Sequence, residues 1–590
     1  MDETMPAPER FTKREVLKGG VEMDVIYRKA KTPIDPSLEN RDAGGAGMNA
    51  MGMGVCPALN PRTYEVAPGI ICEQDIAVEM RDGVKIYVDI FRPKDKTNIP
   101  VLISWSFYGK RPGEGMSEWQ IMGVAPGTVS KTAKFESPDP LYWCYQDYAI
   151  ANVDPRGVGH SEGDVNCFGT QDARDGYDFI EWVAQQPWCS GKVGMSGNSA
   201  VAMSQWRIAA EQPPHLTCIA PWEGTSDIYR ESMFEGGVPA IAFNEFIVGS
   251  ITGEGGADDM VAMAQQSPLM NAYWEDKIPD FSKIKIPVYC TACWNHFHLR
   301  GAFQGFRKIK SRKKWMRAHR EFEWPDGYDR VHLPELKMFF DRYLKDIHNC
   351  WESTPRVRLE VQDAHEFLYA LDRPETSFPL KRTQYKKLYL DAGSGALSFG
   401  PVEQETSISY DGNEGVANFD IKFEEDVEIT GYMKLHLWVE ADGHDDMDMF
   451  VNIQKLDTKG EWLPVDVLGE PHPGAWGKMR VSHRALDPDL STDFQPIQSH
   501  LKEEKLSPGE IVPVDIEIVP TSRFWHKGQS LRIQIAGRYI REGWFEPLFW
   551  DTDNHGNHII HSGGKYDSYL QIPTIPPKYQ DGDIKYGTTN

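Results

Sequence analysis

Apolar and polar positions begin to alternate at about residue 73. Ile76, Val78 and Met80 alternate with polar neighbours, Asp82-Gly83 turns the chain, and Val84, Ile86, Val88 and Ile90 alternate on the return until Arg92-Pro93 stops it. This pattern predicts a β-hairpin. Two short, largely apolar runs follow, Val101–Trp105 and Tyr148–Val153, as expected for strands buried on both faces of a parallel sheet. Ala173, Tyr177, Ile180 and Ala184 then step at helical spacing, and Pro187 ends that helix. Lys192–Met195 reads as a strand, and Ala202, Trp206 and Ala209 mark a helix to about Glu211. Leu216–Ala220 and Ile286–Cys290 are two more strands, and Leu336–Leu344 is a last helix. Strand alternating with helix is the pattern of a parallel α/β sheet.

The rhythm breaks between about 223 and 280, where Met260, Met263 and Ala264 keep helical spacing near a Gly-rich turn, which predicts a helical insertion. After about Trp351 the period becomes two: Arg356–Val361, Met433–Val439, Val512–Ile518 and Leu531–Ile535 all alternate. Such strands, separated by Gly, Pro and Asp turns, predict an antiparallel sandwich or jelly roll. The organisation expected is an irregular N-terminal extension (1–72, Gly-rich at Ala43–Gly54), an α/β domain in two parts (73–222 and 281–352), a helical cap insertion (223–280) and a C-terminal β domain (353–590).

Composition narrows the function. The 590 residues hold 63 Lys and Arg against 87 Asp and Glu, a net charge of −24. That argues against nucleic acid as a partner, because phosphate contacts need clustered Lys and Arg. No run of 18 apolar residues is present, so no membrane helix is expected. The N-terminus is charged and lacks the apolar core of a secretory signal. Nine dispersed cysteines in an acidic chain read as reduced thiols of a cytoplasmic protein. Cys290 and Cys293 form a lone C-x-x-C inside an apolar run, without a second pair at zinc-site spacing. Asp442–Asp448, rich in carboxylates with His444, reads as a polar turn rather than a calcium loop. No metal and no cofactor are expected.

The sharpest chemical signal is Gly194-Met-Ser-Gly-Asn-Ser199, where a strand ends and a helix begins. A Ser at such a junction suits a nucleophile elbow, although the fifth position of G-x-S-x-G is Val201. Together with V-E-M-R-D-G-V (78–84), D-x-R-G-x-G-x-S-x-G (154–163) and the all-β tail, it resembles the cocaine-esterase and X-Pro dipeptidyl-peptidase family of α/β hydrolases. The resemblance covers roughly residues 73–560. It implies an α/β hydrolase fold with a helical cap and a C-terminal jelly roll, a site between the three domains, and Ser199 as nucleophile. It also implies oxyanion donors at the Ala200 N–H and at Tyr108, within Trp105-Ser-Phe-Tyr-Gly-Lys110.

The acid and base depart from the family pattern. The family Asp follows a strand ending Gly-Trp-Tyr-Asp; here the text is Ala292-Cys-Trp-Asn-His-Phe-His298, and the aligned position is Asn295 or His296. The family His position falls on Phe322, with a His three residues earlier, at His319. His319 is the favoured base because it ends the strand that brings the base to the site in this fold. His298 is the second choice, and Glu321 and Glu323 are further candidates. In an extended segment His296 and His298 would point to opposite sides. Trp105, Trp222 and Trp294, at neighbouring strand ends, are expected to line a pocket for a bulky small molecule. The function expected is a cofactor-independent hydrolase of an ester or amide working through an acyl-Ser199 intermediate. The alternative is acid–base chemistry on a natural product (cyclisation, elimination or rearrangement) on the same scaffold, favoured by the missing Asp and displaced His. A homo-oligomer is compatible with the sequence, but nothing in it specifies an interface.

Overall fold

A computed structural model describes residues 8–33, 56–112, 122–540 and 550–577. The Gly-rich stretch Ala43–Gly54 lies outside the described residues. Nearer the N-terminus the extension is not irregular. β1 (Arg10–Val16) and β2 (Glu22–Lys29) pair antiparallel, from Arg10 opposite Arg28 to Val16 opposite Glu22. Charged residues on both strands mask the alternation, and among the apolar residues of the two strands only Val25 and Tyr27 are buried.

β3 (Arg62–Ala67), β4 (Ile70–Glu79) and β5 (Lys85–Pro93) form the antiparallel edge of a large sheet. The expected hairpin is β4–β5, turned at Gly83 with φ +86°. β6 (Ile99–Trp105) follows, then the short helix α1 (Pro140–Cys144), β7 (Ala149–Asp154) and α2 (Thr170–Ala184). Every residue of β6 and β7 is buried, as strands covered on both faces require. β8 (Cys189–Asn198) runs into α3 (Ala200–Ala210), whose residues are all buried, and β9 (Leu216–Trp222) closes the run.

The insertion carries α4 (Ile241–Ser250), β10 (Gly256–Asp258), α5 (Met260–Gln266) and α6 (Ala272–Asp276). β10 pairs with β2, so the N-terminal hairpin is stitched to the insertion, and the buried Arg28 guanidinium bonds Asp259 at 2.7 Å. β11 (Val288–Cys293), α7 (Leu299–Lys308), β12 (Lys314–His319), α8 (Glu323–Gly327) and α9 (His332–Leu344) complete this unit. The sheet order is β3-β4-β5-β7-β6-β8-β9-β11-β12, parallel from β7 onward. This is the strand order of an α/β hydrolase.

From Val357 onward the chain chiefly forms a second unit. Its long strand Val427–Asp442 pairs antiparallel with Val512–Trp525, Asn557–Ser562 and Tyr569–Thr574. Val416–Lys422, Ser530–Ala536, Asp448–Leu456 and Trp476–Arg480 pair antiparallel as a further set. Within Asp442–Asp448 two of the carboxylates already have partners: Asp448 binds Arg480 at 2.7 Å, and Asp446 accepts from the Met447 and Ser482 N–H groups. No helix among the described residues is long and apolar enough to cross a membrane.

Candidate active site

The end of β8 is built for a sharp turn. Gly197 has φ +135°, and a Cβ there would meet Val201 Cγ1 at 2.4 Å and the Glu136 carbonyl oxygen at 2.8 Å. The valine at the fifth motif position thus fits because Gly197 has no side chain. Ser199 sits at φ 50°, ψ −118°, a strained conformation for a residue with a Cβ. Its N–H donates to the Glu223 carbonyl at 2.9 Å, and its own carbonyl accepts from Met203 N–H at 2.8 Å. The hydroxyl is therefore held above the sheet edge at the N-terminus of α3, with the Ala200 N–H in the first turn.

Among the described residues, two groups hydrogen-bond to Ser199 Oγ. His298 Nε2 lies 3.0 Å away, and the Tyr108 hydroxyl donates from 3.4 Å. His298 precedes α7; its carbonyl accepts from the Ala302 N–H, and its own N–H donates to His296 Nδ1 at 3.2 Å. Burial, with His296 beside it, holds the His298 imidazole well below its ordinary pKa, so the ring is neutral near pH 7. Its Nδ1 is buried and has no hydrogen-bond partner among the described residues.

The loop bearing Tyr108 is tied down from below by the second motif. Lys110 Nζ donates to Asp154 at 2.7 Å, and Arg111 binds Asp75 and Asp89, each at 2.6 Å. Ser161 Oγ donates to the Asp154 carbonyl, and Arg156 binds Asp175 at 2.7 Å. At Gly157, φ +77°, a Cβ would meet Val165 N at 2.5 Å, so the D-x-R-G turn needs glycine there.

The structure corrects the expected base. His319 does not reach Ser199: its Nδ1 bonds the Glu321 carbonyl at 2.9 Å, while Nε2 lies 3.1 Å from Glu223 and 3.4 Å from Asp326. It belongs to a buried network beneath the site, in which Arg317 and His332 also bind Asp326. The opposite-sides expectation for His296 and His298 also fails. Residues 294–298 turn rather than extend, and the two rings lie 4.8 Å apart. Asn295 is buried after β11 with its N–H on Cys293 Sγ, so no carboxylate occupies the family's Asp position.

The three tryptophans are packing residues rather than an open wall. Trp105 donates to Asp172 at 2.8 Å and packs on Phe179; Trp294 stacks on Phe303 at 5.2 Å; Trp222 packs edge-on to Tyr328 and covers Gly327. Strand-end position did not distinguish core from pocket. The rings against the reactive groups are Phe107 and Phe135 on Tyr108, Phe297 on His298, and Phe322 on His296. Phe107 and Phe297 are half-buried.

Three glutamates complete the surroundings. Glu223, pushed up to about 7 by burial, touches His319 and lies 3.5 Å from His296 Nδ1. Glu323 lies 3.3 Å from His296 Nε2, and burial raises its pKa well above the ordinary range. Glu136 accepts from Trp324 Nε1 at 3.0 Å. Sequence reasoning reached Glu323 but missed Glu136, a lone acid in an aperiodic loop that no motif marks. Ligand atoms of His296, His298 and Glu323 lie within 4.8 Å of one another, and these residue types occur in zinc sites. Here, however, His298 Nε2 is engaged with Ser199 Oγ, and His296 accepts from the His298 backbone N–H at Nδ1 and lies 3.3 Å from Glu323 at Nε2, so these ring nitrogens already have neighbours. His444, Asp553 and His555 form a second such group on partly exposed turns, with nothing further that points to a ligand.

A strained Ser on a strand-to-helix elbow, an imidazole on its hydroxyl and a Tyr hydroxyl at the same oxygen define an α/β-hydrolase-fold enzyme. Residues 82–255 match the X-Pro dipeptidyl-peptidase (S15 family) profile, and 349–571 match the X-Pro dipeptidyl-peptidase C-terminal non-catalytic domain. A CocE/NonD family hydrolase from Staphylococcus aureus is 37% identical with a TM-score of 0.81, over 86% of this chain and 94% of that one. The cocaine esterase of Rhodococcus sp. (strain MB1 Bresler) is 24% identical, over 85% of this chain and 98% of that protein. An aminopeptidase from a marine sediment Thaumarchaeota archaeon shares the fold, with 14% identity and a TM-score of 0.64, over 92% of this chain and 100% of that one. The chain belongs to the CocE/NonD hydrolase family: an α/β hydrolase domain with a cap insertion, followed by a β jelly-roll domain.

Proposed function

We propose that this enzyme hydrolyses an ester or amide of a bulky, aromatic-compatible small molecule through an acyl-Ser199 intermediate, without cofactor. The observation that carries the reading is His298 Nε2 at 3.0 Å from Ser199 Oγ, on a backbone strained to present that oxygen. His298 takes the Ser199 proton as Oγ attacks the carbonyl carbon, and returns it to the leaving group. Tyr108 and the Ala200 N–H receive the oxyanion. The half-buried Phe107 and Phe297 supply apolar contact for the substrate. Esters come first as test substrates, because a curated relative that aligns over most of both chains is an esterase.

The nine cysteines are all free thiols, which supports a reducing, cytoplasmic location. The experiment is labelling with a fluorophosphonate probe, together with p-nitrophenyl ester turnover by the wild type and Ser199→Ala. Labelled Ser199 and a silent variant support the reading. An unlabelled Ser199 and an active variant would replace it with the acid–base reading, which the carboxylate-free Nδ1 of His298 favours.

A further inference from the structure

One carboxyl enters this site without a role in the dyad. Glu136 lies in the loop before α1, at φ 57°, and its carbonyl accepts the Asn198 N–H at 2.9 Å, one residue before the nucleophile. Its backbone is thus fastened to the elbow itself. Its Oε1 accepts from Trp324 Nε1 at 3.0 Å. Its Oε2 is buried and closes no hydrogen bond among the described residues, yet the carboxyl is within interaction range of the Tyr108 and Ser199 hydroxyls. A carboxyl oxygen with no hydrogen bond among the described residues therefore lies near the nucleophile and near the Tyr108 hydroxyl, beside which a substrate carbonyl oxygen would develop charge.

An ionised Glu136 would oppose that charge, and its surroundings disfavour ionisation. The groups acting on it are Tyr108 from the loop after β6, Ser199 from the elbow, and Glu323 and Trp324 from α8, with Tyr328 just after α8 also facing it. None is a cation. Burial first, and then the Glu323 charge, raise Glu136 well above the carboxylate range. Burial and the neighbouring acid thus both favour the protonated form of Glu136.

We propose that the Glu136 carboxylic acid is a third oxyanion donor, its O–H acting beside the Tyr108 hydroxyl and the Ala200 N–H. The inference rests on the serine-hydrolase reading. In the acylation step Oγ bonds the carbonyl carbon, its proton passes to His298 Nε2, and the carbonyl π pair moves onto oxygen. Glu136 donates a hydrogen bond to that oxygen and transfers no proton. When the tetrahedral adduct collapses the pair returns, the bond to the leaving group breaks, and His298 supplies that group's proton.

The test is the pH dependence of p-nitrophenyl butyrate hydrolysis by the full-length wild type, Glu136→Gln and Glu136→Ala, with labelling by a fluorophosphonate probe. Glu136→Ala should lose about 10²–10³-fold in kcat with KM within about threefold, as for other single oxyanion donors. Glu136→Gln keeps a donor that cannot ionise. It should hold kcat within about tenfold and lose the alkaline fall in kcat that ionisation of Glu136 imposes on the wild type. Glu136→Gln as impaired as Glu136→Ala would overturn the proposal, because it would mean that the carboxylate charge is required. Loss of less than about tenfold in both variants, or an alkaline limb unchanged in Glu136→Gln, would also overturn it. If Glu136→Ala fails to fold by circular dichroism, the Glu136→Gln profile decides alone. A wild type that the probe does not label sinks both this inference and the hydrolase reading; a labelled wild type with the wrong variant pattern sinks this inference only.

Discussion

At Ser199 Oγ the deciding contact is with a histidine whose protonation is disfavoured. Because burial holds His298 well below its ordinary pKa, the ring stays neutral as pH falls through 6.5. The acidic limb of kcat/KM should therefore lie below 6.5, and a limb at or above 6.5 would show a different base. Replacement separates the two histidines more sharply. His298→Ala should cost about 10³–10⁶-fold in turnover while the protein stays folded. His319→Ala should chiefly lower the melting temperature, because it strips Glu223 and Asp326 of a buried partner. Steady-state kinetics and thermal melting of the two variants side by side check this. The sequence could not rank these residues, since the ranking depends on the turn at 294–298, which folds His298 back toward Ser199 instead of continuing β11. Apolar periodicity carries no information about such a turn.

The elements themselves were far more legible. The Asp82-Gly83 hairpin, the buried runs of β6 and β7, the helix carrying Ala173 to Ala184 and the alternating C-terminal strands all stand where their periods place them, with ends moved by a few residues. The N-terminal hairpin was missed because its strands are mostly charged and exposed, and its pairing with β10 is a tertiary contact that no local pattern encodes. Elements also explain why the motifs read as they do. Gly197→Ala would drive a methyl into Val201 and the Glu136 carbonyl. It should abolish turnover and probe labelling together, whereas a tolerated alanine would mean the elbow relaxes freely. Asp154→Ala would leave Lys110 buried with only Asp75 at 3.3 Å. A loss of about 3–5 kcal/mol in urea unfolding is expected, with a looser Tyr108 loop that lowers kcat. An Asp154→Ala variant with wild-type stability would show that the second motif does not anchor that loop.

For the whole molecule, sequence and structure converge on a hydrolase of the CocE/NonD family, and under the proposed reading its base stands at a different strand end from the one the family resemblance implies. In the family pattern the base follows the strand equivalent to β12; here the imidazole on Ser199 follows β11, and β12 leads instead to Glu323. The scaffold is kept because the sheet order and elbow decide where Ser199 stands. Which neighbouring loop supplies the ring depends only on reaching within 3.0 Å of it. The measurement that tests the account most directly is intact-mass and peptide-mass analysis after fluorophosphonate treatment of the wild type, Ser199→Ala and His298→Ala. The account predicts one adduct on the wild type, mapped to Ser199, none on Ser199→Ala, and strongly slowed labelling of His298→Ala. Labelling of His298→Ala at the wild-type rate, or an adduct on any other residue, would contradict it.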